Sequence, residues 1–226
     1  NSDRPFFLYL AYTLPHAEVL APSDAVAPFL DQFPEIEAHF AGMVARLDRD
    51  VGRLLDRLVE LGLDRNTLVL FSSDNGPHAE GGHDPQYFTS SGGLRGIKRD
   101  LYEGGIRVPL IAWWPGTIAE RTVSHRPSAF WDFLPTAAEL AGVVDLPDVD
   151  GVSFVPTLRG QRQEDPPYLY WEFYEGTPAQ AVRFGQWKAI RRPMHTGAIE
   201  LYDLEADLYE VNDLAGERPG LVEQAA

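Results

Sequence analysis

The protein has 226 residues, 19 Lys and Arg against 34 Asp and Glu, and a formal net charge of −15. Hydrophobic residues make up 44% and aromatics 12%, enough for a sizeable core and too many for a disordered chain. The acidic excess argues against non-specific binding to nucleic acid or an anionic membrane, no apolar run reaches the roughly 18 residues of a membrane span, and the absence of cysteine excludes disulfides, thiolate metal sites and a Cys nucleophile within these residues.

Phe6-Phe-Leu-Tyr-Leu-Ala-Tyr12 is continuously apolar, the pattern of a central strand covered on both faces. The chain enters this run almost at once, so it is expected to be the C-terminal part of a longer protein. The Pro-punctuated stretch from Pro15 to Pro34 reads as loop. From Glu35 to Leu61 the apolar residues fall at 36, 40, 43, 44, 47, 51, 54, 55 and 58, one helical face, with Arg46, Arg49, Asp50, Arg53, Asp56 and Arg57 largely opposite. Gly62 supplies the stop. Thr67–Ser72 is a second apolar strand, and strand, long helix, strand is the βαβ pattern of a parallel sheet. Val108–Trp114 is a third strand, confined by Pro109 to a strand start or an edge. Phe130–Ala141 reads as a helix ending at Gly142, with Pro135 in its first turn or at a kink.

A polar stretch, Arg159–Pro167, reads as a linker. Beyond it Tyr168–Tyr174, Ala181–Arg191 around Trp187, and Glu200–Leu204 are short aromatic-rich strands with turn signals between them, expected to form a small antiparallel sheet. The predicted architecture is an α/β domain over residues 1–160 and a smaller C-terminal β-rich subdomain over 161–226.

In open α/β sheets ligands bind beyond the carboxyl ends of strands. The first predicted strand runs into Thr13-Leu-Pro-His16 and the second into Ser72-Ser-Asp-Asn-Gly-Pro-His78, followed by Gly81-Gly-His83 and Gly92-Gly-Leu-Arg-Gly-Ile-Lys98. Asp74 and Asn75 offer a carboxylate and an amide oxygen, the hard donors that Ca²⁺ or Mg²⁺ prefers, although Asp-Asn-Gly is also an ordinary turn. His16 could donate a proton or contact an anion at a strand end, or be merely structural. Lys98 could meet an anion within its Gly-rich segment, or be a solvated surface lysine. Arg95 and Arg107 could fork onto an oxyanion or pair with local carboxylates. His39, His125 and His195 receive no function, and no Walker sequence, Gly-x-Ser-x-Gly or His-Glu-x-x-His occurs.

Together, Phe6–His16, Leu68–Gly76 and Leu94–Pro109 resemble the type I, formylglycine-dependent sulfatases of the alkaline-phosphatase superfamily. Trp114-Pro-Gly116, Asp150–Phe154 and Glu200–Glu205 continue the likeness in order, and Lys98–Pro109 is its most specific block. The resemblance implies the C-terminal part of an alkaline-phosphatase-like sheet flanked by helices, plus the small antiparallel subdomain. It also implies a sulfuric ester hydrolase acting on a sulfated carbohydrate or aryl sulfate. In that reading Asp74 and Asn75 bind the metal, usually Ca²⁺ rather than Mg²⁺. Lys98 contacts the sulfate group and the leaving oxygen, and His16 contacts the sulfate and protonates the departing alcohol. His78 and His83 beside the metal pair, and Arg95, are further candidates to line the substrate pocket. The family's formylglycine is made in a Cys/Ser-x-Pro-x-Arg motif that these residues lack, so it is expected upstream of Asn1, and the chain alone is expected to be inactive. The resemblance further implies export to the periplasm or exterior. A phosphoester or phosphonate hydrolase of the same superfamily, and a non-catalytic acidic glycan-binding module, stand as alternatives.

Overall fold

A computed structural model describes residues 4–226. The Pro-punctuated stretch holds one short helix, α1 (Ser23–Val26), entered from Pro22. The amphipathic spacing produces α2 (Glu35–Glu60), with Glu35 and Glu37 in its first turn, where they complement the helix dipole. It closes at Leu61, and Gly62 follows in the left-handed conformation with φ +66°. Its N-terminal half is the buried one: Ala38 is fully enclosed, and Phe40 and Met43 pack with Val19 into a core that also draws in Leu14, Ile36 and Phe88.

The second and third predicted strands form as β1 (Val69–Ser72) and β2 (Leu110–Trp113), separated by a helical turn, α3 (Glu103–Ile106). Pro109 lies immediately before β2, the position its missing N–H demands. The two strands pair antiparallel, Val69 opposite Trp113 and Ser72 opposite Leu110. Two expectations are corrected here. Phe6–Tyr12 forms no strand and no parallel pairing, and its side chains are exposed, Phe7 at 74%. A continuously apolar strand is stable only with neighbours at both edges and cover on both faces. Among the described residues nothing supplies them.

A 3₁₀ turn at Phe130–Asp132 leads into α4 (Phe133–Leu140), with Pro135 in the first turn as its missing N–H requires. After α5 (Val155–Leu158) the polar stretch carries no regular element. The four remaining strands, β3 (Leu169–Phe173), β4 (Ala179–Phe184), β5 (Trp187–Arg191) and β6 (Ile199–Asp203), form an antiparallel meander in that order, and α6 (Pro219–Ala225) closes the chain. One face of this sheet is the second core: Ala179, Ala181, Ile190 and Tyr202 pack with Leu101, and Tyr102, Ile106, Trp171 and Phe173 adjoin them. The small sheet therefore shares its core with the segment that carries Lys98.

A buried ionic cluster pins that shared core. Lys188, with no exposed side-chain surface, lies 2.9 Å from Glu103 and 2.9 Å from Glu210. Arg107 Nε donates to the other Glu103 oxygen at 2.6 Å, and Glu210 accepts the Glu103 backbone N–H at 2.6 Å. Burial pushes the Glu103 carboxyl up, but Lys188 and Arg107 outweigh it and hold the group below the usual carboxylate range. At Glu210 burial wins over Lys188 and pushes the carboxyl up. Removing one member of a buried ion pair strands the other charge. Lys188→Met should therefore cost about 3–5 kcal/mol at pH 7 by denaturant unfolding. The loss should shrink as pH falls toward 5, because the stranded carboxylates can then be neutralised by protonation. An equal loss at both pH values would show that packing alone is at stake.

Candidate active site

The loop after β1 is fixed by a close approach of two backbones. Gly76 N–H donates to Gly105 O at 2.9 Å, and a Cβ on Gly76 would stand 1.9 Å from Gly104 O, which no side chain can tolerate. Gly104 is equally constrained from its other side, where a Cβ would lie 2.2 Å from Gly96 O. The next residue along, Pro77, accepts the Lys98 N–H at 2.8 Å. The turn carrying Asp74 and Asn75 and the loop carrying Lys98 are thus locked in register.

That register brings Lys98 to His16, 82 positions away: Lys98 Nζ stands 2.6 Å from His16 Nε2. A carboxylate that the sequence did not single out, Glu80, completes the group. Its Oε2 lies 3.2 Å from Lys98 Nζ and 3.1 Å from His16 Nε2, while Arg99 Nη1 donates to Oε1 at 2.7 Å. Arg99 also reaches Glu175, at 3.0 Å, in the loop between β3 and β4. The hydrogen bonds from Arg99 and then Lys98 pull the Glu80 carboxyl down from 4.5 to about 2. Nothing in the local sequence marks Glu80, since its partners come from the His16 and Lys98 loops.

Of the other candidates the two histidines are buried, whereas Arg95 and Arg107 are exposed residues tied to neighbouring side chains. His78 is buried; its Nδ1 accepts the Glu80 N–H at 3.0 Å, so the ring is the neutral tautomer whose Nε2–H donates to Pro15 O at 2.8 Å. It ties the backbone before His16 to that of Glu80. His83 is stacked on Phe40 at 3.6 Å and paired with Glu37 at 2.7 Å, buried in the α2 core. Arg95 donates to Tyr202 Oη at 2.9 Å and Glu210 O at 2.8 Å, with its guanidinium 3.8 Å over the Tyr102 ring. Arg107 pairs with Glu103.

Asp74 is exposed and carries neither a hydrogen bond nor an ion pair among the described residues. Asn75 Nδ2 donates to Gly76 O at 2.9 Å, and its Oδ1 has no hydrogen-bond partner among the described residues. One unpaired carboxylate and one free amide oxygen on a rigid turn fit part of a hard-cation shell. Among the described residues no group of three or more His, Asp or Glu is poised for a metal; further ligands would have to come from elsewhere.

A family model described as Sulfatase matches residues 1–143, and one described as N-sulphoglucosamine sulphohydrolase, C-terminal, matches residues 96–221. The chain is 36% identical over 190 residues to N-acetylgalactosamine-6-sulfatase of Canis lupus familiaris, covering 83% of this chain and 34% of that protein. It is 38% identical over 205 residues to arylsulfatase A of Homo sapiens, covering 84% and 36%. Among solved structures, Ps i-CgsB in complex with k-i-k-neocarrahexaose superposes with a TM-score of 0.86 at 30% identity, covering 100% of this chain and 49% of that one. A structure in complex with its substrate D-glucosamine-2-N,6-O-disulfate gives a TM-score of 0.68 at 26% identity, covering 84% and 39%. The chain spans about a third of the length of the curated relatives it matches.

Because the fold lowers the Glu80 pKa, its contacts stabilise the protein fully above the ordinary value of 4.5 and lose that contribution as pH falls through about 2. A ¹³C carboxyl titration should find Glu80 still ionised at about pH 3.5, where an unpaired Glu is mostly protonated. Arg99→Gln should return its titration toward the ordinary range. Titration near the ordinary value in the unaltered protein would mean that the Arg99 and Lys98 contacts do not persist in solution.

Proposed function

The chain belongs to the sulfatase family, and from that membership we propose that it is the part of a sulfuric ester hydrolase that supplies the anion seat and the leaving-group acid. The observation that carries this reading is the 2.6 Å approach of Lys98 Nζ to His16 Nε2 at the two positions that match the family's sulfate-contacting lysine and histidine. A sulfate ester spreads negative charge over its oxygens, and as sulfur is attacked that charge must be stabilised. Lys98 holds the sulfate and the ester oxygen. His16 delivers a proton to that oxygen, because an alkoxide is a poor leaving group.

Asp74 and Asn75 would hold the metal, which when bound neutralises sulfate oxygen charge as a Lewis acid. Ca²⁺ suits a mixed carboxylate and amide set with further ligands from outside, whereas Mg²⁺ keeps several waters and demands stricter geometry. These residues contain no Cys and no Ser-x-Pro-x-Arg, so a formylglycine cannot be made within them. Their share of the chemistry is seat and acid. The substrate class is a sulfated carbohydrate or an aryl sulfate, in keeping with the named substrate of the disulfated glucosamine complex.

In the full-length protein, Lys98→Ala and Asp74→Ala should each lower kcat/KM on an aryl sulfate by about 100-fold or more with the fold intact by circular dichroism. Asp74→Ala should also lower bound calcium measured by emission spectroscopy. Residues 1–226 alone should release no sulfate. Faster turnover of an aryl phosphate than of the matching sulfate would replace the sulfatase reading with phosphoryl transfer.

A further inference from the structure

We infer that Glu80 is a positioning residue that holds the reactive proton on His16, an inference resting on the function proposed above. His16 Nδ1 lies 3.0 Å from Ala17 O, and a carbonyl can only accept, so Nδ1 carries hydrogen and the chemistry falls to Nε2. Two polar atoms face Nε2: Lys98 Nζ at 2.6 Å and Glu80 Oε2 at 3.1 Å. An ammonium has no lone pair, so Lys98 can donate to a neutral Nε2 but cannot receive a proton from it. Among the described residues, Glu80 is therefore the acceptor that a protonated Nε2–H can meet. The acid form of His16 is stabilised by Glu80, and the spent, neutral form by Lys98.

Glu80 is held for this task from two sides. Arg99 grips its second oxygen at 2.7 Å and is itself anchored on Glu175 at 3.0 Å. The neutral His78 ring joins the Glu80 backbone to Pro15, next to His16, so carboxylate and imidazole share one frame. The charged groups facing Glu80 are Lys98, Arg99 and His16. Those facing His16 are Lys98 and Glu80, with the His78 ring centred 5.3 Å away. In the reaction an oxygen nucleophile supplied outside these residues bonds to sulfur as the bond from sulfur to the ester oxygen breaks. The bond's electron pair stays on the ester oxygen, which takes the Nε2 proton and leaves as the alcohol. The lone pair freed on Nε2 then accepts from Lys98, and Glu80 reorients the ring when a proton returns.

The test uses the full-length protein with two substrates, an alkyl sulfate whose leaving group needs an acid and 4-nitrophenyl sulfate, whose leaving group does not. Glu80→Gln keeps the shape and removes the charge. It should lower kcat on the alkyl sulfate by about 10-fold or more and on the aryl sulfate by less than about threefold, with KM little changed. The basic limb of the alkyl sulfate pH profile should move to lower pH, and Glu80→Asp should restore part of the rate. Arg99→Gln, at an exposed position, should show the same leaving-group dependence in weaker form should Glu80→Gln fold poorly. Equal losses on both substrates would overturn the inference. So would a lower KM with unchanged kcat, because Glu80 would then be competing for the sulfate's seat. Histidine-ring ¹⁵N spectra without substrate provide a readout independent of turnover. Glu80→Gln should shift the His16 Nε2 resonance and leave His78 unmoved, and an unmoved His16 would refute the inference even in an active enzyme.

Discussion

A lysine with no exposed side-chain surface stands at the centre of this structure. Burying the Lys188 ammonium is tolerable only because Glu103 and Glu210 both meet it at 2.9 Å, and two carboxylates in one buried place are tolerable only because Lys188 and Arg107 neutralise them. The four groups come from β5, from α3 and its C-terminal flank, and from the loop beyond β6. The cluster therefore decides how the small sheet sits against the Lys98 segment. Apolar packing of Leu101 on Ala181 and Ile190 supplies adhesion, but it has no direction of its own. The ionic geometry supplies the direction.

From that anchor the site follows by short backbone steps. Glu103 opens α3, and the two glycines after it present bare backbone to Gly76, so the turn bearing Asp74 and Asn75 is set by the placement of Glu103. One residue further on, Pro77 holds Lys98 through its backbone, and Lys98 meets His16. On the far side of the pair, Glu80 and Arg99 continue an alternating series of charges out to Glu175 in the β3–β4 loop. The positive charge of Lys98 is thus balanced by Glu80, a carboxylate that Arg99 holds through its other oxygen.

What the sequence made legible was whatever depends on near neighbours. The 3.6-residue spacing of α2, the stop at Gly62, the place of Pro109 before β2 and of Pro135 in the first turn of α4 all follow from local sterics and periodicity. So does most of the aromatic meander, although Ala181–Arg191, read as one strand, is two, β4 and β5, turning at Gly185 and Gln186. Phe6–Tyr12 shows the limit of that reading, because apolarity records a need for cover without providing the neighbours that give it. His16 and Lys98 were each noted from their local setting, but only family likeness linked them, since no spacing rule joins residues 82 apart. Glu80 escaped because its meaning lies in contacts made across loops. The same holds for the partners of His83 and Arg95, which are Glu37 and Phe40 for the one and Tyr102, Tyr202 and Glu210 for the other.

The interlock of Gly76 with Gly104 and Gly105 has a consequence for how such a protein can be altered. With no side chains at the contact, there is nothing there to trim, enlarge or re-angle, and any added atom collides with a carbonyl. The turn bearing Asp74 and Asn75 and the loop bearing Lys98 therefore behave as one rigid casting whose internal spacing cannot be adjusted by small steps. Any gradual alteration has to be made on its margin. A cavity of about 280 Å³ lies there, lined by Arg99 and Tyr102 from the casting and by Glu175, Thr177 and Arg192 from the small sheet and its β3–β4 hairpin. Of the two walls of that cavity, only the hairpin can be recast without touching the glycines.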